Sequence, residues 1–233
     1  MTNKEKKTAI IVGVLFIIGT VAGVLSVVFT GPILDDPDYL IKVSANENQI
    51  IIGALFVLIM GFALAMVPVM MFPIFKKHNE ALALGYVVFR GALETVTYIA
   101  IVINWLLLLT LSQEYVKAGA PDASYFQPLG TLLLEAGDWL NHISAIVFSL
   151  GALMFYYLFY QSKLVPRFLS VWGLIGATLV LAVGVLGMFG LVLEILWAPL
   201  ALQEMVLAVW LIVKGFNSSA IASGSAKTDT NEV

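Results

Sequence analysis

Six apolar stretches, residues 8–30, 50–75, 81–111, 139–161, 167–189 and 193–213, take up most of this sequence. About 20 apolar residues in a helix cross the ~30 Å hydrocarbon core of a bilayer, and each stretch reaches that length. Inside lipid a single run satisfies its backbone hydrogen bonds by coiling into a helix. The fold expected is therefore all-α: a polytopic integral membrane protein, a bundle of six transmembrane helices. Composition agrees, with 61% hydrophobic residues and 12% charged. A soluble domain is about a quarter charged, so this chain cannot cover a water-facing surface and lipid must be its solvent.

One membrane domain is expected over residues 8–214, after a basic segment 1–7 and before a tail 215–233 too polar to pack. The first run starts like a signal peptide but stays apolar for about 22 residues, beyond the 7–15 of a signal core. Gly19 and Gly23 give it a GxxxG spacing. Residues 31–49 read as a polar loop in which Pro32 and Pro37 stop the helix. Pro68 predicts a kink in the second span, and Pro199 an interruption of the sixth. The third run is over-long and must tilt or project. Residues 112–128 form a second polar loop; helical patterning resumes at Leu129, ahead of the fourth span. Gly173, Gly176, Gly184 and Gly187 share one face of the fifth span, a packing groove.

Charge sets the sidedness. Lys4, Lys6, Lys7, Lys76, Lys77, Lys163, Arg167, Lys214 and Lys227 fall on the side of the termini, nine of the twelve basic residues. Lys42 and Lys117 fall opposite, beside Asp35, Asp36, Asp38, Glu47, Glu114, Asp122, Glu135 and Asp138. Both termini are therefore expected in the cytoplasm. Trp105, Trp139 and Trp197 then lie near the outer interface, as aromatic belts do.

Charges inside the spans single out a candidate site. An ionised side chain near the bilayer centre costs about 3 kcal/mol, so it faces the bundle interior and pairs. Arg90 and Glu94 are four residues apart on one helical face, which Tyr86 and Tyr98 extend. At 1.5 Å per residue, Arg90 lies about 10 Å deep, Glu94 about 16 Å and Glu204 of the sixth span about 15 Å. One cation and two carboxylates thus meet at matching depth, as a ligand or proton site or as a structural ion pair. Glu135, Asp138, His142 and Ser149 form a second stripe near the outer end of the fourth span. It is a candidate proton or pH-sensing patch at His142 and Asp138, or a hydrated helix start.

Much chemistry is excluded. The chain has no cysteine and two histidines, His78 and His142, so no disulfide and no thiolate or histidine-rich metal site is expected. There is no nucleotide loop, serine elbow or HExxH motif, no lysine inside a span for a retinal Schiff base, and no basic groove for nucleic acid. No cofactor is expected, and the balance leans away from an enzyme.

Pro166-Arg167-Phe168-Leu169-Ser170 opens the fifth span. Glu204-x-x-Leu207-Ala208-x-Trp210-Leu211-x-Val213-Lys214-Gly215 closes the sixth. These stretches, with Phe89-Arg90 and His142, resemble a family of six-helix bacterial membrane proteins known as domain of unknown function 4386. The likeness runs from about Lys7 to Asn217. It implies a bacterial inner-membrane protein and supplies no activity.

Three readings follow. The first is a protein that binds or transports a small molecule or lipid at Arg90, Glu94, Glu204 and Tyr98, between the third and sixth spans. The second is a non-catalytic accessory or structural subunit with a structural ion pair. The third is an intramembrane lipid-modifying enzyme, which lacks a visible nucleophile or metal set. Membrane lipid is a partner in all three, and no motif sets an oligomeric state.

Overall fold

A computed structural model describes residues 2–119 and 122–221. The described residues are almost wholly helical and contain no strand, and six helices are long and apolar enough to cross a membrane. The first span is α1 (Asn3–Leu34). Its start is a capping box: the Glu5 N–H donates to the Thr2 hydroxyl at 3.3 Å, and the Thr2 N–H to the Glu5 carboxylate at 2.6 Å. A short α2 (Tyr39–Ala45) leads to the second span, α3 (Glu47–Phe75). The third span has three parts: α4 (Glu80–Tyr86), a π-helical segment (Val87–Leu93) and α5 (Glu94–Ala118). The fourth is α6 (Phe126–Ser162), the fifth α7 (Arg167–Gly187), and the sixth α8 (Ala198–Val213) after a 3-10 turn (Glu194–Trp197).

Each span packs on the next in sequence, and α8 packs back on α1, which closes a ring. Between 28% and 56% of each span's most apolar window is buried, so much of each helix turns apolar side chains outward. Val24, Val27 and Val28 of α1 are all more than half exposed. That exterior needs lipid, not water. Inside, the end of the bundle near the first residues has a core of Ala9, Phe75, Ala83, Phe159, Leu164 and Phe216. The opposite end has a smaller core of Ile33, Leu40, Val43, Ile50, Leu108 and Leu109.

Several sequence expectations are corrected. Residues 31–49 are not an open loop: α1 runs through Pro32 to Leu34, and α2 follows directly on Asp35, Asp36 and Asp38. Pro32 lies in the last turn of α1, so the helix has little left to lose beyond it. Leu40 and Val43, three apart, turn inward on Leu108 and Leu109 and make α2 a lid on that core. The third span extends to Ala118, beyond residue 111. Pro199 does not interrupt the sixth span. It sits in the first turn of α8, where no backbone N–H is needed. The fifth span ends at Gly187, not residue 189, and Gly190 turns the chain with a φ of 80°. The tail is also packed at first. Phe216 and Ala220 are buried, and the Asn217 N–H donates to the Leu164 carbonyl at 2.8 Å. The rest of the expected disordered tail, 222–233, lies outside the described residues.

Candidate functional site

Arg90 sits in the middle of the π-helical segment. There the backbone bonds reach five residues, as the Glu94 N–H does to the Phe89 carbonyl. Such wide turns inside α-helices are rare and frequent at functional sites. The fourth span comes close at this point because Gly151 has no side chain. A Cβ there would lie 3.1 Å from the Arg90 backbone nitrogen and 3.2 Å from its Cβ. α6 and the widened turn thus meet backbone to backbone.

From that position the guanidinium reaches the centre of the ring. Its Nη1 donates to both Glu94 carboxylate oxygens, at 2.8 and 3.0 Å. Its Nη2 lies 3.6 Å from Glu204 Oε1, an ion pair beyond hydrogen-bond distance. Its carbon is 4.5 Å from the centre of the Phe148 ring, in cation–π range. The Tyr98 hydroxyl donates to Glu94 Oε1 at 2.7 Å. Arg90 and Glu94 are 3% and 0% exposed, whereas the Glu204 side chain is 16% exposed. Four residues singled out by spacing and depth, Arg90, Glu94, Tyr98 and Glu204, are therefore together. The third and sixth spans are not packed neighbours in the ring; they meet through side chains across its middle.

Sequence reasoning missed the layer beside this cluster. Gln203 is 0% exposed; its amide donates to the Leu169 carbonyl at 2.9 Å and accepts from the Tyr156 hydroxyl at 2.6 Å. One side chain so joins the fourth, fifth and sixth spans. The only signal was a neutral amide next to Glu204 in an apolar run. The Thr97 hydroxyl adds a bond to Ser144 at 3.0 Å, between the third and fourth spans.

The pattern of the family described as "Domain of unknown function (DUF4386)" matches residues 11–215. The chain belongs to the DUF4386 family. The match begins inside the first span, covers the other five and ends at Gly215, where the closing motif of the sixth span ends. No curated protein and no solved structure matches this DUF4386 chain.

The second stripe lies elsewhere in the DUF4386 chain. Asp138 is exposed on the surface of α6. His142 packs edge-on to Trp139, with ring centres 6.2 Å apart, and against Gly187 of α7. Asp138 and His142 line a cleft of about 270 Å3 with Asn141 and Glu194. Glu135 is exposed, and Ser149 is buried and bonded to the Ala145 carbonyl at 2.6 Å. Among the described residues no group of three or more His, Asp and Glu is arranged to hold a metal ion.

Proposed function

We propose that this DUF4386 chain is a multi-pass protein of a bacterial inner membrane, with both termini cytoplasmic. In this reading it binds or carries a small molecule or lipid through a polar site between its third and sixth spans. The observation that carries it is the inequality of the two carboxylates. Glu94 takes the close bonds of Arg90 and Tyr98, at 2.7–3.0 Å. Glu204 is left 3.6 Å from the guanidinium and partly exposed. One guanidinium against two carboxylates leaves a negative charge over, which in a low-dielectric interior calls for a proton, a cation or the positive group of a ligand. Glu204 is the group free to receive it. Glu94 and Tyr98 then hold Arg90 in place, and the π-helical turn presents it.

Native mass spectrometry with lipidomics on the detergent-purified protein tests this. Glu204→Gln keeps the shape and removes the charge. It is expected to fold normally and to lose a specifically bound molecule that the parent retains. If parent and Glu204→Gln carry the same molecules, Glu204 is not a binding group. The second reading, a purely structural ion pair, draws on the deep burial of Arg90 and its contact with Phe148. It predicts that Glu204→Gln lowers the melting temperature with no change in bound molecules.

Sidedness has its own test. The chain has no cysteine, so single cysteines can be labelled cleanly. Ser218→Cys is expected to react with a membrane-impermeant maleimide only after cells are opened, and Asp38→Cys in intact cells. The reverse pattern would invert the topology.

A further inference from the structure

The turn between α6 and α7 carries a second constellation, remote from Glu204 in chemistry and lining. Lys163, Arg167 and Lys214 line one cleft of about 520 Å3, together with Trp210 and Asn217. No carboxylate lines it, and among the described residues none of the three cations is in an ion pair. By contrast, Lys42 and Lys117 each have an acidic partner. The cleft is built rather than incidental. Lys163 ends α6 with a φ of 56°, a left-handed conformation that favours glycine. A glycine would relieve that backbone and lose the cation. The Asn217 N–H fastens the chain after α8 to the Leu164 carbonyl, and Phe216 is buried beneath. Arg167 is held over the Tyr160 ring, 5.2 Å from its centre.

Two residues of this cleft, Trp210 and Lys214, also line an apolar groove of about 460 Å3 with Met205, Val206, Val209 and Val213. The groove follows α8 over residues 205–213, about 12 Å at 1.5 Å per residue. That is most of one leaflet of a ~30 Å core. A cluster of cations thus opens directly onto an apolar channel of leaflet length.

We propose that this end of the bundle binds one anionic phospholipid. Lys163, Arg167 and Lys214 take its phosphate, and one acyl chain lies along residues 205–213. Three cations without a carboxylate favour a headgroup of net negative charge over a zwitterionic one, whose ammonium they would repel. Trp210 sits where headgroup meets acyl chain, the level that tryptophan favours. This site depends on the spans crossing a bilayer and is independent of Glu204.

The test is native mass spectrometry of the delipidated full chain titrated with dioleoyl-phosphatidylglycerol or dioleoyl-phosphatidylcholine. The expected result is a preference for phosphatidylglycerol. Lys163→Gln, Arg167→Gln and Lys214→Gln each weaken it about fivefold, and all three together about a hundredfold. All three side chains are exposed, so the variants should fold. Val209→Trp, which fills the groove, is expected to weaken it too. Lys117→Gln, which removes an exposed cation already paired with Glu114, is expected to leave it unchanged, which separates this site from surface charge in general. Equal binding of the two lipids, or unaltered phosphatidylglycerol binding by the triple variant, would overturn the site. Displacement of the lipid by free glycerol 3-phosphate at equal concentration would assign the cleft to a soluble phosphate instead and overturn it as a lipid site.

Discussion

Arg90→Ala is expected to destabilise the protein by about 3–5 kcal/mol, the cost of leaving a buried charge without its partner. Glu94 is 0% exposed and would lose both bonds from Nη1, keeping only the Tyr98 hydroxyl. Glu204 would lose its counter-charge in the same step. Two carboxylates would then share the middle of the ring with no cation. Thermal unfolding of detergent-solubilised protein measures the loss. Adding Glu94→Gln to Arg90→Ala should recover part of it, because the orphaned charge goes. Arg90→Lys should not restore the parent, since a single ammonium cannot face two carboxylates from separate nitrogens and stack on Phe148. An unchanged melting temperature in Arg90→Ala would mean that water reaches Glu94 in the folded chain.

That cluster was legible in the sequence for a definite reason. Ionisable residues are rare in apolar runs, and helical spacing and rise fix their face and depth. Arg90, Glu94 and Tyr98 follow from four-residue steps, and Glu204 from counting back from Lys214. The π-helical turn was not legible. Val87–Leu93 has no spacing that announces a wide turn, and its close neighbour Gly151 belongs to another span. Gln203 escaped because a neutral amide carries no charge to flag it. Prolines misled in both directions. Pro32 was read as a stop but lies in a last turn, and Pro199 as an interruption but lies in a first turn. In each case position along the helix, not the residue type, decides the cost. The polar composition after residue 215 hid Phe216, one aromatic side chain that is enough to anchor the first turn of the tail.

Phe155→Ala is expected to have an effect of similar size, for a reason that no charge pattern reveals. Phe155 is 2% exposed. Its ring centre lies 5.8 Å from Phe16, 5.8 Å from Phe75, 4.9 Å from Tyr86, 5.1 Å from Tyr156 and 4.6 Å from Phe159. These contacts bind the first four spans together. In lipid the gain from removing apolar surface from water is small, so packing carries the stability. Truncation removes dispersion contacts on every side and leaves a cavity, which costs about 3–5 kcal/mol in well-packed cores. Phe155→Leu should cost much less, because most of the volume remains. Tyr86 makes this core part of the site: its ring stacks on Phe155 at 26°, four residues before Arg90 and just below the widened turn. A ring released there loosens the base from which Arg90 reaches Glu94. The losses from Phe155→Ala and Arg90→Ala should therefore fail to add, by more than about 0.5 kcal/mol, in a double-mutant cycle of melting data. Strict additivity would show that the aromatic core and the charged cluster are held independently, and that the π-helical turn keeps its shape without Tyr86.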